Sequence, residues 1–267
     1  MPVWPGSGSL WVMGCGNMGG ALLRRWLECG LEPERVTVID LAPQRIEGVR
    51  WVASLPDGQP EFLMLGVKPQ TLAEVAAILA PAVGPGTTLL SILAGVECDT
   101  LRKHFPNAGA IVRSMPNMPV ALGKGVTGLF TQDSAARDSV DAAFAVTGER
   151  VWIEDESLFH AIVALSGSGP AFVYRIIGAM AQGAVDLGLP KGEAIRLAAS
   201  MIEGAAAASL ASGEDPAELA RQVTSPGGTT AEGLAVLDKD GALTALIAKT
   251  MQATARRSEE LAKAARE

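Results

Sequence analysis

Short apolar runs alternate with segments of helical spacing through the first half of the chain. The apolar runs are Leu10 to Met13, Arg35 to Ile39, Phe62 to Val67, Thr88 to Leu93, Ala110 to Arg113 and Val126 to Phe130. Between the early runs, apolar residues recur at helical spacing in Gly20 to Glu28 and Thr71 to Leu79. This alternation predicts an α/β domain in which parallel strands are joined by crossover helices.

The pattern changes near Trp152 to Asp155, where the strand signals end and long helical stretches rich in Gly and Ala begin. Two structures fit such helices: a compact bundle within one subunit, or an intertwined dimer whose helices complete a neighbour's active site. We favour the dimer because a helical appendage of about a hundred residues buries limited surface alone. The predicted domains are residues 1–154 and an all-α domain of residues 155–267.

Composition narrows the class of protein. The 267 residues are 48% hydrophobic and carry a net charge of −7, which argues against nucleic acid or an anionic membrane surface as partner. The three cysteines are too few and too scattered for a disulfide framework or a zinc site, so we predict no metal and a cytoplasmic location. The uncharged stretch Ser157 to Tyr174 is interrupted by Ser166 to Pro170, so we expect no membrane span.

A glycine-rich turn joins the first predicted strand to the first predicted helix. Its residues are Gly14, Cys15, Gly16, Asn17, Met18 and Gly19. In such a turn the first glycine permits the tight bend, the second lets a pyrophosphate approach, and the third lets the helix pack closely on the sheet. We therefore predict a dinucleotide site that includes Gly14, Gly16, Asn17, Met18 and Gly19.

Asp40 ends the second predicted strand, where a carboxylate accepts hydrogen bonds from the ribose hydroxyls of NADH and repels the extra phosphate of NADPH. Arg45 follows one turn later and has the charge to reverse that preference. A cap or turn role for Asp40 before Pro43 is an equally good explanation. The sequence therefore does not decide between NAD(H) and NADP(H) as the coenzyme.

Three further strand ends carry candidate coenzyme contacts, because open α/β sheets bind ligands at the carboxyl ends of their strands. They are Val67, Lys68 and Pro69 after one run, Ala94 and Gly95 after the next, and Asn117 between two prolines. A surface position is the alternative for Lys68, but its place directly after a buried strand favours a ligand contact. The prolines around Asn117 either stop a strand or fix its amide in one direction.

A second anion site is predicted at Ser225 to Thr230, where two glycines lead into a helical pattern. Free N–H groups and the helix dipole at such a helix start suit a small carboxylate. The predicted substrate contacts are Ser225, Gly227, Gly228, Thr229, Thr230 and, after another helix break, Ser168. The alternative is a capping box formed by Thr229 and Glu232.

These segments together resemble pyrroline-5-carboxylate reductase over nearly the whole chain. The markers of the resemblance are Gly14 to Gly19, Val67 to Gln70, Arg113 to Pro119, Leu165 to Ala171 and Ser225 to Thr230. The resemblance implies a Rossmann domain, a helical dimerisation domain and dimers that assemble further. It also implies reduction of 1-pyrroline-5-carboxylate to L-proline, with the substrate carboxylate held at Gly227 to Thr230. Members that favour NADPH usually have an uncharged or hydroxyl residue at the position of Asp40.

Reduction of a cyclic imine fits the residues of this chain. A protonated imine nitrogen loses its charge on hydride addition, so no strong acid is needed. We expect Thr230 to orient that nitrogen, with water as the proton source, and we include Lys68 with Thr230 as candidate catalytic residues. For His104 and His160 we expect a surface role and a core role respectively.

Two other functions compete. A β-hydroxyacid dehydrogenase also has a dinucleotide domain followed by helices, but it carries a catalytic lysine and an asparagine where this chain has Val173 and Ile177. A coenzyme-binding protein without catalysis is the second alternative. Thr230 and its glycine pair argue against it.

Overall fold

The computed structural model describes Trp4, residues 8 to 41 and residues 46 to 266, and these residues form two compact units. The first unit runs to Ser168 and also includes the C-terminal segment from Ala253, whereas the second is Gly169–Gln252. The predicted domain boundary between residues 154 and 155 lies shortly after the last strand, which ends at Trp152. The first unit continues beyond it because Phe159 is fully buried in the core of that unit.

An eight-stranded sheet forms the first unit, in the order 3-2-1-4-5-6-7-8 when strands are numbered along the chain. The strands are β1 (Leu10–Met13), β2 (Val36–Ile39), β3 (Arg50–Val52), β4 (Phe62–Leu65), β5 (Thr88–Ser91), β6 (Ala110–Met115), β7 (Gly125–Thr131) and β8 (Gly148–Trp152). This order, with β1 next to β4, creates the crevice in which Rossmann domains hold dinucleotides. The predicted fold class is confirmed.

The α-helices are divided between the two units. They are α1 (Asn17–Glu28), α2 (Leu72–Leu79), α3 (Cys98–His104), α4 (Arg137–Phe144), α5 (Phe159–Ile162), α6 (Gly169–Asp186), α7 (Lys191–Ser212), α8 (Pro216–Gln222), α9 (Thr229–Leu237) and α10 (Ala242–Arg266). Helices α6 to α9 lie in the second unit, and α10 begins there and ends in the first.

The sheet differs from the sequence prediction in two respects. The prediction omitted β3 and β8, which are the edge strands and are only partly buried, so their apolar signal is weak. The sheet is parallel as predicted except at one pair, because β6 and β7 pair in antiparallel fashion. The short helical turn Met118–Leu122 joins them. A parallel pair needs a crossover of about a dozen residues or more.

Aromatic side chains fill one face of the sheet. The ring of Trp26 in α1 lies 4.8 Å from the ring of Trp4 and 5.8 Å from that of Phe144, both in edge-on geometry. The indole N–H of Trp26 donates to the carbonyl of Ala143 at 2.8 Å, so the buried nitrogen is satisfied. These contacts fix α1, and with it the glycine turn, against the sheet.

Two helical segments, Glu156–Asp186 and Lys191–Ser212, are long and apolar enough to span a membrane by length and composition. No such segment was expected from the sequence. The break predicted at Ser166 to Pro170 takes the form of a π-helical turn at Val163–Gly167 and a bend at Ser168, after which α6 begins. Only 11% of the residues in the most apolar 18-residue stretch of each segment are buried within the chain, so both helices present apolar surface.

Candidate functional site

The glycine turn has the geometry that a pyrophosphate needs. Gly14 has a φ of +84°, and a Cβ there would lie 2.9 Å from the carbonyl carbon of Gly66. A Cβ at Gly19 would lie 2.9 Å from the carbonyl oxygen of Gly14, whereas one at Gly16 would meet none of the described atoms within 4 Å. The turn therefore excludes side chains where helix and strand meet, and is open above Gly16.

Helix α1 begins directly after Gly16, which is its N-cap residue and supplies no side-chain cap. Asn17 is exposed and Met18 is half-buried in the first turn of this helix. The N–H groups of a first helical turn have no partner within the helix, and the helix dipole adds positive potential there. This helix start is suited to binding a phosphate.

Asp40 lies beside the glycine turn, because its Oδ2 atom accepts a hydrogen bond from the backbone N–H of Cys15 at 2.6 Å. The two residues are 25 positions apart, so this contact is not a local turn of the kind weighed as the alternative for Asp40. Arg45, predicted to lie nearby, is outside the described residues.

Val67, Lys68 and Pro69 follow β4, which is next to β1 in the sheet. The carbonyl of Lys68 accepts hydrogen bonds from the N–H and hydroxyl of Thr71 at 3.0 and 2.9 Å. The backbone of Lys68 is therefore fixed while its side chain is exposed.

Asn117 is buried, and both ends of its amide have protein partners. Its nitrogen donates to the carbonyl of Ser166 at 3.0 Å, and its oxygen accepts from the N–H of Val126 at 2.9 Å. The amide thus connects the start of β7 to the π-helical turn that precedes Ser168. Its predicted contact with a coenzyme stays a prediction.

A cavity of about 420 Å³ in the first unit brings three predicted site residues together. Ala94, Gly95 and Ser168 line it, and the opposite wall is the end of α10, with Thr254, Arg257 and Ser258. The contact is close, because a Cβ at Gly95 would lie 3.1 Å from the backbone nitrogen of Ala262. Sequence reasoning missed these α10 residues, since their helical pattern shows which residues share a face but not what that face contacts.

The loop Ser225 to Thr230 lies in the second unit and is mostly exposed. Gly227 has a φ of +69°, and the N–H of Gly228 donates to the carbonyl of Ser225 at 3.0 Å. Gly228 is the N-cap residue of α9 and no side chain caps this helix, so the capping box of Thr229 and Glu232 does not form. The glycine pair therefore leaves the N-terminal N–H groups of α9 accessible to an anion.

Two of the three cysteines, Cys15 and Cys98, are buried and have thiols of low reactivity. Burial, and then the charge of Asp40, raise the pKa of Cys15 to about 11, and burial with Glu156 raises that of Cys98 to about 12. Thiolates are the reactive form, so we expect iodoacetamide at pH 8 to modify half-exposed Cys29 first and the other two only after unfolding. Peptide mass spectrometry of a time course measures this order. Early modification of Cys15 or Cys98 in the folded protein would contradict it.

Comparisons with known proteins add to this geometry. A family model described as pyrroline-5-carboxylate reductase dimerisation matches residues 156–261. A second model, described as NADP oxidoreductase, coenzyme F420-dependent, matches residues 9–95. A pyrroline-5-carboxylate reductase from Synechocystis sp. is 38% identical over 266 residues, which cover 95% of this chain and 98% of that protein.

Solved structures resemble the chain over nearly its whole length. A pyrroline-5-carboxylate reductase from Coxiella burnetii matches with a TM-score of 0.85 at 28% identity, covering 96% of this chain and 99% of the other. The Plasmodium falciparum pyrroline carboxylate reductase with NADP bound matches with a TM-score of 0.84 at 23% identity, covering 96% and 98% of the two chains. At 23% identity, the match to the Plasmodium falciparum structure shows a shared fold only.

Proposed function

The chain belongs to the pyrroline-5-carboxylate reductase family, and we propose on this premise that it reduces the C=N bond of 1-pyrroline-5-carboxylate with NAD(P)H, giving L-proline in the last step of proline biosynthesis. The observation that carries the proposal is the presence in one chain of two open anion sites, at Gly14 to Gly19 and at Gly227 to Thr230. The test is NAD(P)H oxidation, followed by absorbance, with pyrroline-5-carboxylate as substrate.

The residues of the first unit fit a nicotinamide dinucleotide. Gly14, Gly16, Asn17, Met18 and Gly19 would hold the pyrophosphate, because the open face at Gly16 and the uncapped start of α1 both point to an anion. Asp40 would hold the adenosine ribose. The predicted coenzyme contact of Arg45, which is outside the described residues, stays a prediction. Val67, Lys68, Pro69, Ala94 and Gly95 would flank the nicotinamide half, and Asn117 would support it by fixing the turn before Ser168. When bound, the reduced coenzyme supplies the hydride.

The loop in the second unit would bind the substrate carboxylate. Backbone N–H groups at Gly227, Thr229 and Thr230, with the hydroxyl of Ser225, suit an acid, and each charge-assisted hydrogen bond contributes about 1.5–3 kcal/mol. Gly228 is the N-cap residue of α9 and has no side chain that could block the carboxylate. The hydroxyl of Thr230 then orients the ring nitrogen, and water supplies the proton. Ser168 as a substrate contact and Lys68 as a catalytic residue, both in the first unit, stay predictions.

A second copy of the chain would cover the helices of the second unit. Their exposed apolar side chains include Tyr174 at 64%, Leu187 at 90% and Leu210 at 87% exposure. Such a surface favours a homodimer, which is also the function named by the family model that matches residues 156–261. We propose a cytoplasmic homodimer, able to assemble further, in which helices of one subunit complete the site of the other.

The alternatives give different results in the same assay. A β-hydroxyacid dehydrogenase would turn over a 3-hydroxy acid, although Val173 and Ile177 provide neither an acid nor an amide. A coenzyme-binding protein would turn over neither a 2-keto acid, a 3-hydroxy acid nor pyrroline-5-carboxylate. Turnover of pyrroline-5-carboxylate alone supports the proposal.

Replacing Asp40 with Ser should shift coenzyme preference toward NADPH by about tenfold, since one charge–phosphate repulsion and one ribose contact are removed together. The measurement is the ratio of kcat/KM for NADPH to that for NADH. Asp57→Ser, at an exposed loop position, is the matched control and should leave the ratio unchanged. An unaltered ratio in Asp40→Ser would contradict the ribose role of Asp40.

A further inference from the structure

Ser258, which lines the 420 Å³ cavity, is in contact with His160. The Nδ1 atom of His160 in α5 lies 2.9 Å from the Oγ atom of Ser258 in α10, across 98 positions of sequence. Ser258 is only 6% exposed, yet it lines the cavity with Ala94, Gly95 and Ser168. A buried serine with a side-chain partner is thus held against an open space.

The cavity lies on one side of the crevice in the sheet. Ala94 and Gly95 follow β5, whereas Asp40 follows β2, on the other side of the β1–β4 pair. A dinucleotide binds across this crevice with one nucleotide on each side. Since Asp40 is placed to hold the adenosine ribose, the side with Ala94 and Gly95 is left for the nicotinamide. A volume of about 420 Å³ is in the range of small-ligand pockets.

Ser258 is a polar residue of the α10 wall whose hydroxyl is held by a side-chain partner. The hydroxyl has one donor and two acceptor positions, and His160 occupies one of them. The other α10 groups are differently engaged: Thr254 already makes an interaction of its own, and the guanidinium of Arg257 pairs with Glu260 at 2.7 Å. A carboxamide, which carries both a donor and an acceptor, can bond to the Ser258 hydroxyl whichever tautomer His160 adopts.

We propose that Ser258 binds the carboxamide of the nicotinamide ring and that His160 is the positioning residue that orients Ser258. The inference rests on the proposed function only in requiring a nicotinamide coenzyme. One neutral hydrogen bond corresponds to about a 3- to 10-fold change in affinity. Loss of that bond affects ligands that carry the nicotinamide ring and spares those that lack it.

The test compares the binding of NADH with that of ADP-ribose, which lacks the nicotinamide, by calorimetry without substrate. Ser258→Ala should weaken NADH binding by about 3- to 10-fold and leave ADP-ribose binding unchanged. His160→Leu should weaken NADH binding to the same degree. His160→Asn, whose amide can replace Nδ1, should keep most of the wild-type affinity for NADH. Ser139→Ala, which removes a half-buried hydroxyl in α4, is the control and should change neither affinity.

The outcomes separate the two proposals. Unchanged NADH affinity in Ser258→Ala, or an equal loss of ADP-ribose affinity, would overturn the role of Ser258. Equal effects of His160→Leu and His160→Asn would overturn the positioning role of His160. If Ser258→Ala does not fold, Ser258→Cys and His160→Leu provide the same comparison. A wild-type protein that binds NADH but does not reduce pyrroline-5-carboxylate would overturn the proposed function and leave this binding test intact.

Discussion

Thr230→Ala is expected to lower kcat for pyrroline-5-carboxylate reduction by about 100-fold, because a substrate misplaced by about 1 Å loses that much rate. The N–H groups of the loop remain in the variant, so the substrate carboxylate still binds and KM changes little. The coenzyme affinity should also stay the same, since Thr230 is not among the predicted coenzyme contacts. Steady-state kinetics and calorimetry with NADH together measure these three quantities.

Two variants serve as controls for Thr230→Ala. Thr230→Ser keeps the hydroxyl and should retain most of the activity. Thr229→Ala removes the neighbouring exposed hydroxyl from the same helical turn and should have a much smaller effect. Equal losses in Thr229→Ala and Thr230→Ala would show a general disturbance of the loop, and unchanged kinetics in Thr230→Ala would remove this hydroxyl from the mechanism.

The parts of the site that could be predicted from sequence are those in which the backbone restricts the choice of residue. Gly14 and Gly19 leave no room for a Cβ, and Gly227 has a positive φ. Such positions require glycine, so they are visible as motifs in a single sequence. The central strands could be predicted as well, because buried parallel strands have continuous apolar runs.

The parts that could not be predicted depend on contacts between distant segments. Ser258 and His160 belong to ordinary helical patterns, and nothing in those patterns shows that they touch. Gly95 has a glycine signal, but that signal does not show that the backbone of Leu261 and Ala262 lies against it. The edge strand β8 alternates half-buried and exposed residues, which weakens its apolar signal.

A buried ion pair is another such contact between distant segments. Nη1 of Arg113 in β6 lies 3.0 Å from Oε1 of Glu156, and the Arg113 side chain is only 1% exposed. The guanidinium lies 4.2 Å from the ring centre of Phe159, and Glu156 also accepts from the N–H of Cys98 at 2.9 Å. Within the described residues, Nε and Nη2 of Arg113 have no hydrogen-bond partner. Glu156 is therefore the main group that compensates the buried positive charge of Arg113.

Glu156→Ala is expected to lower the free energy of unfolding by about 3–5 kcal/mol, because it leaves the charge of Arg113 buried without a partner. Denaturant unfolding followed by circular dichroism measures the loss. Glu154→Ala breaks an exposed pair with Arg137 and is the control, for which little change is expected.

The double variant Arg113→Met/Glu156→Gln separates the cost of an unpaired charge from the loss of packing. Met fills the apolar space beside Phe159, and Gln still accepts from the Cys98 N–H, so most of the stability lost in Glu156→Ala should return. This result would mean that the pair fixes the start of the helical segment against the sheet without adding net stability. If the double variant is as unstable as Glu156→Ala, the destabilisation comes from lost contacts of Glu156 and not from the buried charge of Arg113.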